Sequence, residues 1–192
     1  MRKKIYNENY FETIDSEDKA YFLGFIFADG CVTNDLKKYR YQLTLKLHSK
    51  DVGILEKLGV LQNKTFSVKY PQINEKFERH FLRGYFDGDG CIRINTDKRD
   101  GSQRGDLRIV GGSLDMLNNI NKRMNLLFGT NINKLYGPKN KEYKFIGWSG
   151  MKDIENIYKG FYFDSNFFLQ RKRLIFDEVI ETIRNKQKYR KK

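Results

Sequence analysis

The sequence predicts an α+β protein of two related halves, unequal in length and joined by a central pair of helices. Three observations carry this prediction. Residues 21–32, YFLGFIFADGCV, align without gaps to residues 81–92, FLRGYFDGDGCI, at a constant offset of 60, as duplicated units do. In each copy small residues stand four apart, Gly24 with Ala28 and Gly84 with Gly88, which places them on one helix face. Between and after the copies, segments such as YQLTLKLHS at 41–49 alternate apolar and polar residues, the period of a half-buried strand.

Each copy reads as a helix followed by a turn and a strand. TIDSEDKAY offers Asp15 or Ser16 as the first N-cap, with acids in the first turn. Asn74 caps the second helix, with Glu75 just inside. Both helices end at Asp-Gly, where Gly30 or Gly90 can take the left-handed conformation that terminates a helix. In the first half, strands are expected near 31–35 and 40–48 and a short helix near 50–58. In the second, strands are expected near 91–96 and 106–111, a helix near 113–128, strands near 131–136 and 142–148 and a helix near 151–160, with Gly, Asn, Asp and Pro at the joins. The last segment begins as an amphipathic helix and ends in a basic tail.

Composition narrows the function. The chain has 192 residues, 37 Lys and Arg against 24 Asp and Glu, and a formal net charge of +13. Such a surplus points to a polyanionic partner. Two Cys and two His are too few for a disulfide scaffold or a structural zinc site. No apolar run approaches the roughly 20 residues of a spanning helix, so no membrane association is expected. No secretory leader is apparent, and a reducing, DNA-containing compartment such as the cytoplasm is expected. Cys31 and Cys91 read as small buried residues at strand starts; His48 and His80 read as surface or interface residues.

The small-residue faces let two helices pack with close backbones. Packed in parallel about a pseudo-twofold axis, they bring Asp29 and Asp89 together at one end. Two carboxylates so placed repel unless a cation lies between them, and Mg²⁺ suits oxygen ligands.

YFLGFIFADG and FLRGYFDGDG resemble the two motifs of the LAGLIDADG homing endonucleases (meganucleases) in their single-chain form. The resemblance implies pseudo-symmetric αββαββα halves, antiparallel saddle-shaped sheets that track the DNA major groove, and a central two-helix interface through Gly24, Ala28, Gly84 and Gly88. It implies Mg²⁺ (or Mn²⁺) at Asp29 and Asp89, with the carbonyls of Ala28 and Gly88 as further ligands. Phe27 stands where the motif has Asp, and Asp87 keeps it; that position is not the metal ligand. LQNKT at 61–65 resembles LQRKR at 169–173, which implies Lys64 and Lys172 as the lysines that reach the active site. The activity implied is a sequence-specific double-strand break by phosphodiester hydrolysis, made by a monomer encoded in a mobile intron.

The halves are unequal: 35 residues separate Asp29 from Lys64 and 83 separate Asp89 from Lys172. Residues 1–72 therefore read as a shortened N-terminal half, and 73–192 as a full C-terminal half with a basic tail. The deletion leaves all four candidate catalytic residues in place. Strand faces suited to the groove carry Thr33, Lys37, Lys38, Arg40, Gln42, Thr44 and Lys46 in the first half. In the second they carry Arg93, Asn95, Arg99, Arg104 and Arg108, with NTDKRDGSQRGD as a basic loop over phosphates. The alternative is a non-cleaving binder of the same fold, an RNA maturase acting on intron RNA or a DNA-binding regulator.

Overall fold

The computed structural model describes residues 9–30, 55, 57–58, 60, 65–99 and 101–190, the last five without their side chains. The first-half strands, His48, Cys31 and Lys64 lie outside the described residues. So do Thr33, Lys37, Lys38, Arg40, Gln42, Thr44 and Lys46.

Five helices and one sheet make up the described chain. The order is α1 (Glu17–Asp29), α2 (Glu75–Asp89), β1 (Gly90–Thr96), β2 (Gln103–Gly111), α3 (Leu114–Phe128), β3 (Lys144–Trp148), α4 (Met151–Tyr162) and α5 (Gln170–Arg190). The sheet is antiparallel in the order β1-β2-β3. This is the α+β arrangement of paired motif helices and antiparallel sheet that the sequence predicts. Among the described residues no helix is long and apolar enough to cross a membrane.

Ser16 is the N-cap residue of α1 and Asn74 caps α2, its side chain accepting from the Lys76 amide. Helix α3 starts at Ser113, whose hydroxyl accepts from the Met116 amide, and stops at Gly129, with φ 67°. Gly30 and Gly90 are a correction. Both are extended, at φ −70° and −85°, not left-handed. A side chain is excluded there by crowding, since a Cβ would lie 2.4 Å from the Ile26 or Phe86 carbonyl oxygen.

The helices pack through the predicted small residues. A Cβ on Gly24 would lie 2.1 Å from the Phe81 carbonyl oxygen, and one on Gly84 2.0 Å from that of Tyr21. These contacts exchange under the offset of 60, so the interface is pseudo-twofold. A Cβ on Gly88 would lie 2.3 Å from Cβ of Ala28: the axis has room for one methyl group, not two.

The sheet covers the core with its inner face. Ile92, Leu107, Ile109, Ile146 and Trp148 are buried with Phe86, Ile154, Phe161, Phe176 and Val179. Gly105 faces Val179 and Ile154, where a Cβ would meet Val179 at 2.7 Å. Burying such side chains is worth roughly 1.5–3 kcal/mol each.

Residues 131–136 do not form the expected strand; they contribute one bridge, Tyr136 to Phe145. Side chains take the backbone groups that a ladder would use. Asn121 bonds both the amide and the carbonyl of Asn133, Asp153 accepts from the Asn131 amide, and Trp148 Nε1 donates to the Asn131 carbonyl. The basic loop is also shorter than expected. Asn95 and Thr96 belong to β1 and Gln103–Asp106 to β2, so the connection is confined to 97–102.

Candidate active site and nucleic-acid interface

The two motif acids end the two packed helices. A Cβ on Gly88 would lie 3.5 Å from Asp29 Cγ, which puts the first carboxylate against the last turn of α2. Asp29 is exposed and Asp89 partly so. The Tyr85 hydroxyl bonds Asp89 and also feels Asp29; burial first, then these two carboxylates, raise its pKa. One hydroxyl thus senses both acids. Tyr85 is a residue that sequence reasoning missed, although it stands four before Asp89 on the same helix face.

Lys172 enters from the first turn of α5. Its ammonium donates to the carbonyls of Phe86 (2.6 Å), Gly88 (3.3 Å) and Gly90 (2.6 Å). It closes the C-terminal end of α2, where the helix dipole favours a cation, and Gly88 and Gly90 flank Asp89. Burial pulls its pKa down to about 8, opposed chiefly by Asp87. Lys172 therefore stays charged at neutral pH.

Asp87 faces inward. Its Oδ2 accepts from the Tyr21 hydroxyl and the Leu169 amide, both at 2.8 Å, while Oδ1 has no hydrogen-bond partner. Burial raises its pKa. Arg83, fully buried, donates to Glu17, the carbonyls of Phe161 and Phe167, and Ser165. Of the two expectations for His80, the interface one applies: it is 5% exposed, with Nδ1 3.7 Å from Glu17 of α1. Its ring nitrogens face Arg79 and Arg83. Burial, then those guanidinium groups, push its pKa down to about 4.

The outer sheet face carries the second-half candidates. Arg93 and Asn95 on β1, and Arg104 and Arg108 on β2, share it in register, Arg93 opposite Asp106 and Asn95 opposite Arg104. Cys91 lies on the same face and is exposed. That corrects its expected burial: odd-numbered β1 residues point out, and Ile92 and Ile94 point in. Arg99 is not on the strand. It sits in the hairpin loop, folded back on Asp97 at 2.8 Å; this bond holds the Asp97 carboxyl down at about 2.

The donor chemistry fits a hard cation. Asp29 and Asp89, with the carbonyls of Ala28 and Gly88, form an all-oxygen set at one end of the helix pair. The Gly88 carbonyl is already engaged by Lys172 but keeps a second lone pair. Among the described residues no group of three or more His, Cys, Asp or Glu forms a metal cluster. The pair would need water and phosphate oxygens to complete a coordination sphere.

Comparison with known proteins gives a family match over residues 76–158, described as a LAGLIDADG-like domain. Among solved structures, the chain is similar to the LAGLIDADG meganuclease I-AabMI bound to uncleaved DNA, at 15% identity and a TM-score of 0.40, covering 89% of this chain and 53% of that one. It is similar to the LAGLIDADG homing endonuclease I-LtrWI bound to target DNA, at 16% identity and a TM-score of 0.43, covering 74% and 47%. It is similar to I-GzeII in complex with its DNA target, at 15% identity and a TM-score of 0.42, covering 94% and 55%. The chain spans about half the length of these structures. No curated protein matches it in sequence. Residues 76–158 thus match a LAGLIDADG-like domain, and the two motif helices pack through Gly24 and Gly84.

Proposed function

We propose that the protein is a sequence-specific homing endonuclease that hydrolyses both strands of a DNA duplex with Mg²⁺ or Mn²⁺. The observation that carries this reading is the pair Asp29 and Asp89 at the ends of two closely packed helices, the first carboxyl against Gly88 and the second bonded by the Tyr85 hydroxyl. Two carboxylates held together beside a polyanion are unfavourable without a cation. The resemblance supplies Lys64 as the partner of Lys172, and assigns residues 1–72 and 73–192 to the two halves.

A bound divalent cation would supply Lewis-acid activation of the phosphodiester and of the attacking water. The chain's own residues do the remainder. The outer face of β1 and β2 holds the duplex through Arg93, Asn95, Arg104 and Arg108. Tyr85 orients the Asp89 carboxylate. The Lys172 ammonium, beside the same acid, stabilises charge that develops on the phosphate and fixes the carbonyls of Gly88 and Gly90.

A second reading, a non-cleaving binder of DNA or intron RNA, is favoured by one observation. Tyr85 on Asp89 and Lys172 on the Gly88 carbonyl occupy lone pairs that a metal would use.

Incubating a randomised duplex library with the wild-type chain and with Asp89→Asn separates the two. Mg²⁺-dependent cuts at a common site, lost in the variant, support the nuclease. Selective retention of duplexes with no cuts by either protein overturns it in favour of the binder.

A further inference from the structure

On the outer sheet face one carboxylate holds two arginines. Arg93 places Nε at 2.9 Å and Nη2 at 2.8 Å from Oδ2 of Asp106. Arg108 places Nε at 3.0 Å from Oδ1 and Nη2 at 2.9 Å from Oδ2. The Arg108 guanidinium also lies 5.0 Å from the centre of the Phe145 ring. The Asp106 side chain is 10% exposed, whereas those of Arg93 and Arg108 are 52% and 38% exposed.

A guanidinium is planar, with two edges able to make paired hydrogen bonds. In both arginines the Nε–Nη2 edge is on Asp106, so the Nη1–Nη2 edge faces away from it. That outward edge is the one that fits O6 and N7 of a guanine in the major groove. An isolated exposed arginine samples many rotamers and contacts phosphates as readily as bases. These two are held by a carboxylate, and one of them also by a ring. The acid is otherwise unfavourable here, because its charge opposes phosphate binding on a protein of net charge +13. Arg93 is opposite Asp106, and Arg108 is two residues further along β2. The Cα atoms are thus offset by about 7 Å along the strands, but both Nη2 atoms lie on the same Oδ2, at 2.8 and 2.9 Å, so the two forks fan out from one point.

We propose that Asp106 is a specificity-determining positioning residue, which aims Arg93 and Arg108 at two nearby guanines. The inference rests on the DNA-binding reading above. It assigns sequence discrimination to a residue that touches no base.

The test is selection from a randomised duplex library in Ca²⁺ by the wild-type chain, Asp106→Asn, Arg93→Lys and Arg108→Lys, with circular dichroism melts of all four. The wild-type chain should select guanine at two nearby positions. Asp106→Asn should bind total duplex as tightly or more tightly, yet lose about tenfold of the preference at both positions. Each lysine variant should lose it at one position only, so the pattern stays readable even if Asp106→Asn fails to fold. Retained preference at both positions in folded Asp106→Asn overturns this inference alone. So does a loss spread evenly over the whole site, which a merely structural role would give. Absence of duplex binding by the wild-type chain overturns the DNA-binding reading with it.

Discussion

Helices α1 and α2 meet through matched glycines, yet their flanks carry opposite chemistry. At the offset of 60, Tyr21 corresponds to Phe81 and Phe27 to Asp87. Across the interface, the Tyr21 hydroxyl donates to buried Asp87. The equivalent contact on the other side is Phe81 against Phe27, ring to ring at 5.4 Å and 76°. A polar pair on one side replaces an apolar pair on the other, with both members changed together. Ala20 and Leu23 likewise correspond to His80 and Arg83, all four buried. The polar side is the one covered by residues 161–169, whose carbonyls and amides need partners. Pseudo-symmetry thus holds where backbones touch and yields where each helix meets different neighbours.

The largest effects should come from breaking the shared features. Gly24→Ala and Gly84→Ala each drive a methyl group into a carbonyl oxygen, at a cost of about 3 kcal/mol or more. Denaturant melts should show similar losses for the two variants. Phe27→Asp places a carboxylate opposite Phe81, which has no hydroxyl to donate; burying an unpaired charge costs about 3–5 kcal/mol. Adding Phe81→Tyr should recover part of that loss, and a double-mutant cycle measures the coupling. Recovery stays partial because Asp87 has a second donor, the Leu169 amide.

Between about pH 6.5 and 4, acid should act chiefly on the polar side. The folded pKa of His80 lies near 4, below its ordinary 6.5. The unfolded chain therefore binds the proton first as pH falls. Stability is undiminished above pH 6.5 and drains between about 6.5 and 4, by at most about 3 kcal/mol. His80→Gln should flatten that part of the stability profile, read from urea midpoints against pH. Its counterpart Ala20 contributes nothing there. The smallest effect belongs to Tyr21→Phe, which removes one bond to a buried carboxylate and should cost about 2 kcal/mol. If it costs nothing, the polar pair is not what distinguishes the two sides.

The repeat made the helix pair legible before any coordinates, because a fixed offset and small residues four apart constrain packing directly. The alternation of 106–111 likewise placed Leu107 and Ile109 inward and Arg108 outward. The segment 131–136 was not legible: its asparagines satisfy the backbone through side-chain bonds from Asn121 and Asp153, and these partners are distant in sequence. The same holds for Arg83, whose partners Phe161, Ser165 and Phe167 are distant in sequence. Asp106 was within reach of the sequence. RGDLR sets it two residues from Arg104 and from Arg108 on one strand face, but its bond to Arg93 depends on the pairing of β1 with β2. The role of Tyr85 follows only when both helix ends are in place.

Under the proposed function, Asp29 at the end of α1 and Asp89 at the end of α2 would serve one metal-dependent centre. The direct measurement is duplex cleavage in Mg²⁺ by Asp29→Asn and Asp89→Asn, each assayed beside the wild-type chain with melts to confirm folding. The account predicts that either substitution alone lowers double-strand cleavage by about a hundredfold or more, on the order of 3 kcal/mol of lost transition-state stabilisation. Full cleavage by either folded variant would contradict it.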